Sequence, residues 1–410
     1  MNRRNLILPI RARITLLILA FNLSFPMMDN VSSPNQANRL NLDQFVENVI
    51  LLNPEIKRLN DQVQAQQSLL QNTGALPDPL LTYEGGLTTK FKLNQKLNNP
   101  FKVNVDLELA QADVDIVDLR LLSSIRALTF QAHRLYSKLC TIELMLDLTR
   151  EEINVLDKMY QSSLRQYEVN KVSQLDPLAM SLMKSEVAIK LELQLQSRQS
   201  LLAEASRLMG GADPIFSFPK ILAPRPLNIT LSELQEIAKT TGNLDILIAQ
   251  KEAQKAQKAT EQTNGASLFE YEIGAGYDVS NETIEWMGGI TLPWWSQKKD
   301  ELYRYQDTLA YSALTQVEEI TQRVHADITS LVYKIESADK ILPIYEKDMI
   351  PKAKQSRNLA MMSYDAGQLS WNEWVVTEQR YLNIYSQYYQ LLSDRLSDEA
   401  DLEQLVGTWR

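Results

Sequence analysis

One stretch of this chain occurs twice, and that duplication limits the possible folds more than any single motif. Tyr167-Glu168-Val169-Asn170-Lys171-Val172-Ser173 aligns with Tyr364-Asp365-Ala366-Gly367-Gln368-Leu369-Ser370 at an offset of 197 residues. Extending the match without gaps sets Arg198 on Arg395, Ala203 on Ala400, Leu208 on Leu405 and Gly210 on Gly407. Upstream, Leu42-Asp43-Gln44 matches Leu231-Ser232-Glu233 at an offset of 189, so the second copy carries about 8 more residues between these anchors. The reading is a first repeat over 41–211, a polar Pro-bearing linker over 212–229 and a second repeat over 230–407. Each repeat reads as a helix (41–73, then 231–263), a short β region, a very long helix, a tight turn and a returning helix (173–209, then 370–406).

The long helices rest on scarce glycine and on spacing. Only 13 of 410 residues are Gly, well under the roughly 7% usual in globular chains, and none falls in 87–209 or 290–366. In the first of these stretches Leu107, Ala110, Val114, Val117, Leu121, Ile125, Leu128 and Ala132 open a series that runs on to Tyr167. Its step is about 3.5 residues, the coiled-coil period. A helix over 102–166 would be about 98 Å long at ~1.5 Å per residue. Ile320, Val324, Ile328, Leu331, Ile335 and Ala338 repeat the pattern, and Pro343 and Pro351 predict kinks within it.

Composition removes several classes of function. With 42 Lys and Arg against 51 Asp and Glu the formal charge is −9, so no basic face for nucleic acid is implied. One cysteine, Cys140, excludes an intramolecular disulfide, and two histidines, His133 and His325, leave little for a zinc cluster or a catalytic triad. Both histidines lie well inside long helices, where a single histidine is usually satisfied or solvated. No metal, cofactor or catalytic residue is therefore expected, and the chain is read as no enzyme. At the N-terminus Arg3, Arg4, Arg11 and Arg13 precede an apolar stretch from Ile14 to Phe25, the order of a secretory signal. Residues 1–29 are assigned to it, since Pro26 and the polar segment that follows break any amphipathic pattern.

Two regions hold the crowded glycines: about 79–97, with Gly85 and Gly86, and about 269–293, with Gly274, Gly276, Gly288 and Gly289. In the second, Phe269, Tyr271, Ile273, Ala275, Tyr277 and Val279 alternate with polar residues or glycine, as in a strand with one apolar face. The Gly-x-Gly there lacks both the third glycine and the βαβ setting of a dinucleotide site. Trp286, Trp294 and Trp295 bracket this hairpin, either as ordinary packing or as an interfacial aromatic belt. Four strands cannot close a membrane barrel, which needs about eight. Three protomers contributing four strands each could close one of twelve.

The residues carry a resemblance at this point. Leu42-Asp43 followed by Asn53-Pro54-Glu55, the Gly74-Ala75-Leu76-Pro77-Asp78-Pro79 run into the first strand and the paired Tyr167 and Tyr364 turns resemble the TolC-type outer-membrane efflux proteins. The likeness covers essentially all of 41–407, in both repeats and in order. It implies a mainly α homotrimer whose β-hairpins form a 12-stranded barrel in the outer membrane of a Gram-negative-type cell. An α-helical tunnel would continue it across the periplasm and dock on an adaptor protein and an inner-membrane pump. The alternative is a soluble periplasmic coiled-coil adaptor or scaffold, although such proteins usually carry one helical hairpin and more β structure. The turns Val169, Asn170, Lys171, Val172, Ser173 and Ala366, Gly367, Gln368, Leu369, Ser370 are the expected adaptor-contact tip. In the family a carboxylate placed as Asp176 hydrogen-bonds a tyrosine placed as Tyr364, and one placed as Glu373 narrows the pore, so these three are the expected gate. Departures are Asn170 where the family commonly has glycine, Leu97-Asn98-Asn99-Pro100 at the strand exit and Leu369 where one member has an arginine.

Overall fold

The structure is a computed structural model that describes residues 40–85, 89–216, 224–263, 269–291 and 297–407. The expected signal segment 1–29, part of the expected linker, and Trp294 and Trp295 lie outside the described residues.

The first repeat runs α1 (Leu42–Leu52), α2 (Pro54–Asn72), β1 (Leu80–Glu84), β2 (Lys90–Leu97), α3 (Pro100–Glu168) and α4 (Leu175–Leu208). The second runs α5 (Leu231–Ile237), α6 (Leu244–Gln262), β3 (Glu270–Asp278), β4 (Thr283–Thr291), α7 (Gln297–Ile344), α8 (Ile350–Asp365) and α9 (Trp371–Val406). The protein is therefore mainly α with one small antiparallel sheet. At 69 residues, α3 spans about 100 Å at ~1.5 Å per residue. Gln297–Asp365 matches it in length, but a π-helical turn at Tyr345–Met349 separates α7 from α8. The disturbance expected from Pro343 and Pro351 thus takes the form of one widened turn between them. It lets the chain pass two missing or blocked backbone bonds without ending the helix.

The helices expected over 41–73 and 231–263 are each broken in two, at Asn53 and at Gly242-Asn243. Pro54 holds the residue before it out of the helical region, and Asn53 is extended at φ −68°, ψ 124°. Both asparagines then cap the following helix, the Asn53 side chain accepting from Glu55 N and that of Asn243 from Ile246 N. Each also donates through Nδ2 to the end of the returning helix of its own repeat, Asn53 to Leu208 O and Asn243 to Leu405 O, both at 3.0 Å. Leu208 and Leu405 are repeat-equivalent, so one buried asparagine joint occurs twice. The chain approaches itself closely there: a Cβ on Gly242 would lie 2.1 Å from the Val406 carbonyl oxygen.

Each repeat has its own core around this joint. Phe45, Val49, Leu128, Leu135, Ala205 and Leu208 pack in the first, and Leu234, Ala238, Val324, Ile328, Leu402 and Val406 in the second. Lys251, Lys255 and Lys258 on α6 pair with Asp115, Asp113 and Glu108 on α3, which joins the two repeats along their length.

The strands form one sheet in the order β1-β2-β3-β4, all antiparallel, with β2 paired to β3 across the repeats. Register sorts the side chains. The rows Leu81–Leu93–Ala275–Trp286 and Tyr83–Phe91–Tyr277–Ile284 share one face, and Thr82–Lys92–Gly276–Glu285 and Glu84–Lys90–Asp278–Thr283 share the other. The apolar face is bare: Trp286 is 82% exposed, Leu81 68% and Ile284 66%.

Replacing Asn53 or Asn243 by Ala should lower unfolding stability by about 1–3 kcal/mol, since each loses a cap and leaves a buried carbonyl unpaired. Chemical denaturation followed by circular dichroism reads this, and a change within ±0.5 kcal/mol would remove the joint from the account.

Candidate functional site

The end of the molecule opposite the sheet is built by two helical turns. Beyond α3, Asn170 takes φ 56° and Lys171 N donates to Gln166 O at 2.8 Å. Beyond α8, Gly367 takes φ 72° and Gln368 N donates to Ser363 O at 2.9 Å. Both are left-handed caps of Schellman type, with the bond running back five residues. A Cβ at Gly367 would meet nothing within 4 Å, so backbone conformation alone favours glycine there. Asparagine tolerates that conformation, which is why Asn170 serves the same turn.

The turn residues are exposed except for half-buried Val172 and Leu369. Behind them Val155, Leu156, Met159, Met180, Tyr364 and Trp374 form a core drawn from both repeats. Two polar ties hold the turns together: Ser162 Oγ donates to Asp365 Oδ1 at 2.8 Å and Gln166 Nε2 to Tyr364 O at 3.3 Å. Between the turns lies a groove of about 940 Å³, whose walls include Asp176, Leu178, Leu182, Tyr364, Leu369 and Trp371.

The three expected gate residues do not form one hydrogen-bonded set. Tyr364 is 1% exposed, and its hydroxyl has no hydrogen-bond partner among the described residues. Burial pushes its phenol up to about 12, and the nearby Asp176 charge adds to the shift. Asp176 is therefore a neighbour that does not accept the phenol proton in this conformation; burial raises its own carboxyl above the ordinary range. Glu373 belongs to a capping box at the start of α9: its Oε2 accepts from Ser370 N at 3.0 Å and from Ser370 Oγ at 2.6 Å. Those two bonds hold its carboxyl below the ordinary range.

A buried ion pair behind the tip was not among the residues expected from sequence. Arg357 on α8 is buried and forks onto Glu378 of α9, Nε to Oε2 at 2.8 Å and Nη2 to Oε1 at 2.9 Å. Its Nη1 reaches Glu151 Oε1 on α3 at 2.6 Å, and the guanidinium lies 4.2 Å from the centre of the Tyr381 ring. The signal for it was present: Arg357 falls on the apolar stripe Ala353–Ala360–Tyr364, and Glu378 on Trp374–Tyr381. A charge on a buried stripe requires a partner.

The two histidines lie apart, His133 on α3 and His325 on α7. Burial, with the charges of Arg225 and Arg134, pushes His133 down to about 4, so it is neutral at physiological pH. No group of metal-ligating side chains occurs among the described residues.

Comparison with known proteins places the fold. No protein-family model matches the chain, and no curated protein matches it. Solved structures do. CusC, whose crystal structures concern folding and transmembrane channel formation, superposes with a TM-score of 0.78 at 12% identity, over 93% of this chain and 95% of that one. The Campylobacter jejuni CmeC outer membrane channel gives 0.76 at 12% identity over 94% of each chain. The Neisseria gonorrhoeae MtrE outer membrane channel, in its open state, gives 0.73 at 12% identity over 92% of this chain and 94% of that one.

Glu378→Ala should destabilise the protein by about 3–5 kcal/mol, because it leaves a buried guanidinium with only the exposed Glu151 as ion partner, whereas Arg357→Met with Glu378→Leu should recover most of that loss. Thermal unfolding of the three proteins checks it; equal losses in the single and double variants would show that the helices, and not the ion pair, respond.

Proposed function

We propose that this chain, which has the fold of the TolC-type outer-membrane efflux channels, is the exit duct of a tripartite efflux or secretion system. Three copies would set their sheets edge to edge into a 12-stranded barrel and continue it as a helical tunnel through the periplasm. The observation that carries this reading is the sheet itself. It presents an exposed apolar face, a polar face behind it and two edge strands, β1 and β4, that have no outer strand partner among the described residues. A membrane tolerates β structure only when every edge is closed, and lipid-facing residues must alternate with polar ones. A second unpartnered surface supports association: Leu175, Leu178, Leu182, Ile189 and Leu193 line one exposed side of α4 at helical spacing. A soluble adaptor would leave both surfaces in water.

The duct would perform no chemistry, its energy coming from an inner-membrane pump reached through a periplasmic adaptor. The tip turns, 169–173 and 366–370, are the proposed adaptor contact. Asp176, Tyr364 and Glu373 are the proposed constriction, with formation of the Asp176–Tyr364 bond as its closing step. Trp286, exposed on the apolar face, is the proposed interfacial anchor. Fractionation tests the reading: the protein should stay with outer membranes after a high-salt wash, and its recovery in the soluble periplasmic fraction would overturn it.

Val172→Asp with Leu369→Asp should abolish export while leaving the trimer intact, as read by a cell-based efflux assay beside native electrophoresis. Normal export in that variant would remove the tip from the contact. In planar bilayers Glu373→Ala should lose block by divalent cations added at the helical end, because three symmetry-related carboxylates leave the axis together. Tyr364→Phe with Asp176→Ala should raise the resting conductance. Unchanged block and conductance would leave Glu373 as a helix cap and the other two as packing.

A further inference from the structure

The polar face of the sheet carries an ordered set of charges at the end farthest from the helices. The strands enter and leave the helical part at Leu80, Leu97, Glu270 and Thr291, so the Glu84–Lys90–Asp278–Thr283 row is the distal one. Lys90 sits between two carboxylates there, 2.7 Å from Glu285 Oε1 and 3.5 Å from Asp278 Oδ2. Lys92 pairs with Glu84 at 2.5 Å. Asp278 is 2% exposed and is fixed by the backbone of Ser280 and Asn281, so it cannot turn away. Among the described residues Lys90 is the cation that pairs with both Asp278 and Glu285, one charge against two.

We propose that Lys90 is the residue that sets ion selectivity at the outer mouth of the duct, by offsetting half of the acidic charge of the Asp278–Glu285 pair of each protomer where the barrel opens. The inference rests on the channel reading above, which turns the polar face toward the lumen. With Lys90 in place, two lysines face three carboxylates in each protomer's distal rows. Without it, Asp278 and Glu285 of all three protomers form an uncompensated acidic ring, and such a ring concentrates polyvalent cations. Lys90 thus halves the net negative charge of the distal rows, and the wild-type mouth concentrates polyvalent cations less than one without it.

Hexaamminecobalt(III) added from the barrel side of channels in planar bilayers tests this. Lys90→Met should be half-blocked at a concentration about tenfold or more below that of the wild type. Lys90→Met combined with Glu285→Gln, which returns the distal rows to the wild-type net charge, should match the wild type, and the same probe added from the helical side should not separate the variants. Equal block of Lys90→Met and wild type from the barrel side would overturn the proposal while leaving the channel reading in place. If Lys90→Met does not insert, Lys90→Gln replaces it; failure of both beside normal insertion of Lys92→Met would make Lys90 a structural residue and overturn the proposal. A wild type that forms no channels would instead remove the reading on which it rests.

Discussion

An antiparallel sheet with two open edges and one bare apolar face is the constraint from which the rest of the molecule follows. Strand β4 ends the sheet with nine residues, Thr283–Thr291, whose outward backbone groups have no strand partner among the described residues. Neither water nor lipid suits such an edge when its neighbours are Trp286, Ile284 and Ile290: water favours aggregation at the apolar face, and lipid leaves backbone donors and acceptors unpaired. Closure by further copies, as proposed, would satisfy both. The long helices would inherit the symmetry so imposed, and the exposed leucines of α4 run along that helix toward the tip.

Stiffness of the helical part comes from devices used twice. The asparagine joints at Asn53 and Asn243 fasten the start of a helix to the end of another in each repeat. Near the tip the symmetry lapses. α3 is one unbroken helix, while its counterpart has the π turn at Tyr345–Met349, and only the second repeat has the buried Arg357–Glu378 pair. That pair ties α8 to α9, and the bond from Arg357 to Glu151, with those of Ser162 to Asp365 and Gln166 to the Tyr364 carbonyl, ties them to α3. The two hairpins at the tip are thus alike in their turns and different in their bracing.

Much of the fold was legible because it is repeated and local. A 197-residue offset, glycine-free stretches and a step near 3.5 residues give the helices, and Ser370-x-x-Glu373 is a capping-box signature that explains why Glu373 is held at the helix start. The break at Asn53 was signalled by the Asn-Pro pair; the one at Asn243, with no proline, was not. Pairing of β2 with β3 joins residues as far apart as Phe91 and Tyr277, which spacing cannot give. The two-faced character of the sheet appears only once that register is known. Arg357 and Glu378 are ordinary charges in sequence and become informative only through the stripes they interrupt.

The claim that the sheet closes across protomers is most directly tested by cysteine crosslinking in native outer membranes, in a Cys140→Ala background. Thr82→Cys in β1 is combined with a cysteine scanned through Thr283–Thr291 in β4. In the protomer these edges are three strand spacings apart, about 14 Å, beyond the reach of a disulfide. The account predicts oxidative links at alternating positions and a ladder on non-reducing gels that ends at three copies. Absence of any link, or a ladder continuing past three, would contradict it.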